Sequence, residues 1–263
     1  MICRVLALVL LGWIAACAGC QLVRTHPVSE PFPYTLTRQQ LVIHSDAPLD
    51  RQQRLVRDLA EQRDIINTKL GLAPTTNLVH VYLYANEQAY RQFMELRFPE
   101  MAERRAIFVG TDAQLSVYAY WGDHLAEDLR HEVSHGYLHA AMPNLPLWLD
   151  EGLAEYFEVG RGQRGFNESH IELLSAQVAS DSWQPEIERL EALSSVVDMS
   201  QQDYAESWAW VHFLLESEDK SAVLTDYLTD LAHGNPTEPL SRRLRKRLAG
   251  PQVALVEHVR LLR

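Results

Sequence analysis

Cysteine is confined to the first 20 residues of this 263-residue chain, at Cys3, Cys17 and Cys20. Everything after Cys20 therefore lacks disulfides, a thiol nucleophile and a cysteine-based zinc site, and must hold together through a packed core. Positive charge is also scarce. Lys and Arg number 24 against 35 Asp and Glu, a formal net charge of −11. That balance argues against a nucleic-acid partner, which requires a basic surface. No apolar run is long enough to span a bilayer, and no internal repeat is visible. The roughly 240 residues beyond the cysteines are enough to bury one sizeable core.

At the amino end, Met1-Ile2-Cys3-Arg4 is a short charged start, and Val5 to Ala16 is an apolar stretch. At about a dozen residues it fits an export signal better than a membrane span. It closes in Ile14-Ala15-Ala16-Cys17 and then Cys17-Ala18-Gly19-Cys20. Both resemble a bacterial lipobox, in which small residues precede the cysteine that becomes lipidated. The resemblance implies lipidation at Cys17 or Cys20 and attachment to the cell envelope through that lipid. Neither cysteine is followed by Asp, which implies the outer membrane, facing the periplasm. Residues 21–35 contain three prolines and read as a tether, leaving 36–263 as a single folded domain.

The informative stretch is His131-Glu132-Val133-Ser134-His135, followed by Glu151 in Trp148-Leu149-Asp150-Glu151-Gly152-Leu153-Ala154-Glu155. Leu125, Leu129 and Val133 recur at four-residue steps, so 123–141 reads as one helix. Residues four apart on a helix lie one turn above each other, so His131 and His135 can offer imidazole nitrogens to one metal ion. Glu132 stands beside that face, where a carboxylate can accept a proton from water. By chance the motif arises in roughly a few per cent of such chains, so it needs support from elsewhere. Leu147 to Glu158 supplies it as a second helix placing Glu151 and Glu155 on one face. Two imidazoles and one carboxylate leave a zinc ion an open position, the arrangement of catalytic rather than structural sites.

These residues resemble the gluzincin zinc peptidases of the peptidase MA-like superfamily. The resemblance implies Zn2+ bound by His131, His135 and Glu151, with Glu132 as general base. It places Glu155 where an acidic residue supports a ligand histidine, and Glu155 is expected to hydrogen-bond the free ring nitrogen of His131 or His135. Glu158, one turn further along, is expected to lie beyond reach of the histidines. His139 is expected to serve at the helix end rather than as a fourth ligand, since a fourth ligand would close the open position. Tyr204, near the start of a helix carrying Trp208, Val211 and Leu215, matches a tyrosine that stabilises the oxyanion in aminopeptidase N-like enzymes. The lysine-glycine pair that follows that tyrosine in the family is replaced here by Glu206-Ser207.

Short apolar runs at 40–44, 78–84, 106–109 and 115–120 read as strands, and 49–70 and 86–97 as helices. Beyond Gly160 the pattern is mostly helical. The expected fold is thus α+β and gluzincin-like: a small mixed sheet with packed helices over 36–122, the site helices over 123–158, and a helical lobe over 159–263. In gluzincins a strand placed like Leu115-Ser116-Val117-Tyr118 lies at the cleft edge and pairs with an extended substrate, so the expectation here is either that role or an ordinary half-buried strand. The glycine-rich run 159–165 reads as a linker whose Arg161 or Arg164 could also meet a carboxylate. The basic run 242–247 reads as a solvated helix face. The expected function is zinc-dependent hydrolysis of peptide bonds in the bacterial cell envelope, with a peptide or protein substrate. The alternative is a zinc-containing envelope assembly or binding protein without peptidase activity.

Overall fold

Alternating apolar residues build a five-stranded mixed sheet in the computed structural model, which describes residues 32–49, 53–235 and 238–262. Both candidate lipidation cysteines, the export signal and most of the tether lie outside the described residues. The sheet comprises β1 (Tyr34–Arg38), β2 (Leu41–Ser45), β3 (Val79–Tyr84), β4 (Ala106–Gly110) and β5 (Leu115–Tyr120), in the order β1-β2-β3-β5-β4. The inner pairs β2/β3 and β3/β5 are parallel, and the outer strands β1 and β4 are antiparallel to their neighbours.

Two sequence expectations change here. β1 falls partly within the stretch read as tether. It is an edge strand with mostly exposed side chains, so it shows no apolar alternation. Its pairing depends on the Gln39-Gln40 turn, where Gln39 adopts a left-handed φ of 53°. The second change concerns β5: of the two roles expected, the cleft-edge one is excluded, and β5 is a half-buried strand inside the sheet between β3 and β4. β4 is the edge strand, because the β4–β5 hairpin joins the sheet through its second strand.

Ten α-helices are seen among the described residues. α1 (Gln53–Leu70) and α2 (Glu87–Arg97) flank β3 in sequence, and α3 (Leu125–Ala141) and α4 (Leu147–Glu158) follow β5. The helical part comprises α5 (Glu168–Ala179), α6 (Ile187–Glu191), α7 (Gln201–Leu215), α8 (Glu218–Ala232), α9 (Leu240–Arg247) and α10 (Pro251–Arg260). No helix among the described residues is long and apolar enough to cross a membrane. One sheet face, with Leu41, Ile43, Val79, Val81, Val117 and Ala119, joins the main core with residues of α1 and α3. On the other face Tyr84 and Ile107 pack with Tyr90 and Met94 of α2.

Two glycines set how closely the site helices approach their supports. A Cβ on Gly136 would lie 2.6 Å from Val79 Cγ1, so α3 rests directly on β3. A Cβ on Gly152 would lie 2.5 Å from the Ser207 carbonyl oxygen, so α4 and α7 cross with backbones nearly touching. Trp148, Trp208 and Trp210 are fully buried among these helices.

α7 and α10 are joined by a histidine pair, with His212 Nδ1 2.8 Å from His258 Nε2. Burial, and each ring's cationic neighbourhood, hold both histidines near pKa 4. Because that lies below the unfolded value of about 6.5, the unfolded chain takes up protons first as pH falls. Stability is fully present above about pH 6.5 and is lost on acidification toward pH 4, by roughly 1 kcal/mol per pH unit for each histidine. Urea unfolding of wild type and His258→Asn between pH 7 and 5 should show a shallower pH slope in the variant. Equal slopes would rule out this linkage.

Candidate metal centre

The helix of the His-Glu motif forms because Leu125, Leu129, Val133, Tyr137 and Leu138 cover its core side, while Glu127 and Asp128 suit the positive end of the helix dipole. Pro146 fixes the entry into α4, whose Trp148, Leu149, Leu153 and Phe157 are buried. The intervening turn runs α4 back along α3. Buried Gln62 of α1 locks the pair, its amide donating to the carbonyls of Arg130 and Phe157 and to Ser134 Oγ.

This antiparallel packing brings His131, His135 and Glu151 together, and their ligand atoms could hold a metal ion. The Nε2 atoms of His131 and His135 face each other at 3.2 Å. Glu151 Oε2 lies 3.6 Å from the first and 3.7 Å from the second. That carboxylate oxygen is buried and has no hydrogen-bond partner among the described residues. An unpaired buried carboxylate oxygen is costly unless something else satisfies it, which a cation would do.

A carboxylate lies close to the opposite nitrogen of each ring. His131 Nδ1 is 2.9 Å from Glu158 Oε2, and His135 Nδ1 is 2.8 Å from Asp150 Oδ1. Asp150 also meets His139 Nε2 at 2.8 Å, so His139 serves near the helix end and not beside the ligand nitrogens. The Phe108 ring of β4 lies over His135 and His139, with centroids 5.8 and 5.1 Å away.

The expected support of His131 by Glu155 is thereby corrected: Glu158 makes that contact. Glu155 turns to His170 Nε2 at 2.8 Å and to the Asn167 amide at 3.2 Å. Asn167 also donates to Glu158 Oε1 at 2.8 Å and caps α5, tying that helix to both carboxylates. Antiparallel packing explains the exchange. Eight residues back from His139 is His131, and eight forward from Asp150 is Glu158, so the two contacts share one register. The expectation that Glu158 lies beyond reach of the histidines is thus overturned, and Asp150, Asn167 and His170 escaped the sequence reading, since only the crossing of three helices brings them all to the site. Glu155 still lies close to His131, and with Glu158 these residues form a second grouping that could hold a metal ion.

The electrostatics follow from burial opposed by pairing. Burial disfavours the charged form of His131, but Glu151 and Glu158 outweigh it and raise its pKa well above the usual value in the metal-free protein. Burial is likewise overcome at His135, where Asp150 and Glu151 lift the pKa to about 9. Asp150 is held well below the carboxylate range, because His135 and His139 outweigh its burial. Glu132 is buried, and that burial raises its pKa against the pull of His131 and His135.

Glu132 and His131 open onto a cavity of about 650 Å3 that Arg104 and Tyr204 also line. Tyr204, from the first turn of α7, is thus brought to the same cleft as Glu132, and its hydroxyl lies 3.4 Å from Arg104 Nη2. A capping box between Ser200 and Asp203 fixes the start of that helix. Glu206, where the gluzincin resemblance breaks, is a buried anchor. It accepts from Trp183 Nε1, the Glu186 amide and Arg189. Ser207 provides the carbonyl against which Gly152 packs.

A family model described as "Protein of unknown function (DUF1570)" matches residues 128–238, somewhat under half of the chain. The matched span starts on α3 just before His131 and includes Glu132, His135, Glu151 and Tyr204. No curated protein matches the chain.

The geometry reverses the expected ranking of the supporting carboxylates. Glu158→Gln should weaken metal retention about 10–100-fold, the usual effect of losing the partner of a ligand histidine, and Glu155→Gln should cost less. Competition with a graded chelator series measures both. A larger loss in Glu155→Gln would show that the His131–Glu158 contact does not govern the ligand.

Proposed function

We propose that this chain is a zinc-dependent peptidase of the gluzincin type, lipid-anchored in a bacterial envelope through Cys17 or Cys20. The observation that carries the reading is the triangle of His131 Nε2, His135 Nε2 and Glu151 Oε2 beside buried Glu132. Tetrahedral zinc with bonds near 2.0–2.1 Å sets neighbouring ligand atoms roughly 3.3 Å apart. The separations of 3.2, 3.6 and 3.7 Å fit that requirement. Imidazole and carboxylate donors suit zinc, and three protein ligands leave a position open.

A zinc ion held there supplies Lewis acidity and lowers the pKa of a coordinated water to about 7. The protein's own groups then divide the work. Glu132 takes the proton as water attacks the amide carbonyl and returns it to the leaving nitrogen. Tyr204, with Arg104 beside its hydroxyl, donates toward the developing oxyanion. Glu158 and Asp150 orient the two ligand imidazoles through Nδ1. The edge strand β4 offers backbone groups to an extended peptide, one of the two roles expected of β5 from the sequence.

Replacing Glu132 by Gln should leave zinc content unchanged and abolish cleavage of a peptide library, with chelator-treated wild type as the reference. Retained cleavage would remove Glu132 from its role. No cleavage by the zinc-loaded wild type would favour the binding or assembly protein instead. Tyr204→Phe should lower kcat by about 10²–10³ with little change in KM, as removal of an oxyanion donor does. An equal loss in zinc content would instead mark Tyr204 as structural.

A further inference from the structure

A second cavity, of about 830 Å3, lies between α1 and the loop that follows α4, and it shares no lining residue with the metal cleft. Six cationic side chains border it: Arg54, Arg57 and Lys69 of α1, Arg130 of α3, and Arg161 and Arg164 of the loop. Asp58 is the one acidic residue on its wall among the described residues. This concentration stands out in a chain of net charge −11.

Pairing leaves much of that charge unanswered. Lys69 meets Glu216 at 2.7 Å, Arg161 meets Glu61, and Arg54 and Arg57 reach Asp58 and Glu61 only at 3.9 Å. Three carboxylates thus serve four of the six cations. Arg130 and Arg164 have no carboxylate within 4.0 Å among the described residues. A cluster of like charges without counter-charges is unfavourable unless an anion joins it.

The rest of the wall is mostly apolar, with Val159, Ile65, which is 42% exposed, and the largely buried Tyr156 and Phe157, and Gln62 adds one polar side chain. The loop is shaped around this space. Arg164 adopts φ 48°, between glycines with φ of 84° and 74° at positions 162 and 165. At Gly165 the Tyr156 ring occupies the position of a Cβ, at 2.0 Å, which presses the loop onto α4.

We propose that this cavity binds a phosphoryl anion carrying an apolar portion. Guanidinium forks match the oxygens of a phosphoryl group, and several can share its charge. A single inorganic phosphate is far too small for a cavity of this size, which lies in the range of small-molecule sites. The apolar wall takes the remainder of the ligand. A phospholipid headgroup and a soluble phosphate ester share this chemistry. The inference is independent of the peptidase reading.

Calorimetric titration of the full chain in a non-ionic detergent tests it, with three probes: phenyl phosphate, dihexanoyl phosphatidylglycerol and the zwitterionic dihexanoyl phosphatidylcholine. Phenyl phosphate or the phosphatidylglycerol should bind, weakening with added salt. The double variant Arg57→Gln/Arg164→Gln should lose about tenfold or more in affinity, and Arg242→Gln/Arg245→Gln on α9, with the same charge change, should not. Binding of phenyl phosphate alone identifies a soluble ester as the source, and binding of the phosphatidylglycerol alone a headgroup. If the double variant melts early, Arg164→Gln on the exposed loop replaces it and should still weaken binding severalfold. The proposal is overturned if neither anion binds, if phosphatidylcholine binds as tightly as phosphatidylglycerol, or if the cavity variants bind like wild type.

Discussion

The antiparallel packing of α3 against α4 is the constraint on which the rest of the molecule depends. It sets His131 against Glu158 and His135 against Asp150, and so turns both Nε2 atoms toward Glu151. Each partner alone would be a buried charge without compensation, an arrangement that costs several kcal/mol. Together they form one network whose members justify each other's burial. Gln62 extends it to α1, and Asn167 extends it to α5. The sheet beneath is the platform that carries α3, through the close contact at Gly136.

The network has a directional logic. Carboxylates lie at the outer nitrogens of both rings, so each imidazole is more electron-rich at its inner nitrogen. Without a cation, the same carboxylates favour protonated rings, which explains the raised pKa of His131 and His135. A bound cation would replace those protons. The site is thus tuned for positive charge at its centre whichever species supplies it.

The sequence revealed the elements and the inner residues well, because both depend on local spacing. The four-residue step from His131 to His135 is a property of one helix, and Glu151 follows from the next. The α4 boundaries, Leu147 to Glu158, could be read from the apolar pattern and from Pro146. What lay beyond reach was relative placement. By sequence Glu158 stands one turn too far from the histidines, and only the crossing register selects it over Glu155 as the partner of His131. The β4–β5 hairpin was visible, but the strand by which it joins the sheet is decided by packing against β3. β1 was obscured by its exposure, since an edge strand with solvent on one side needs little apolar patterning.

The contact at Gly152 has a mechanical meaning for the cleft. Gly152 adjoins Glu151, and Ser207 lies one turn beyond Tyr204, so backbone contact there fixes the span between the phenol and the carboxylate. α7 cannot slide along α4 without driving one main chain into the other. The jaw that carries Tyr204 is therefore rigid by construction. Arg104, on the opposite jaw, is an exposed side chain ahead of an edge strand, held to Tyr204 by one long hydrogen bond. Any change in the width of the cleft falls to that second jaw alone, like a vice with one fixed plate.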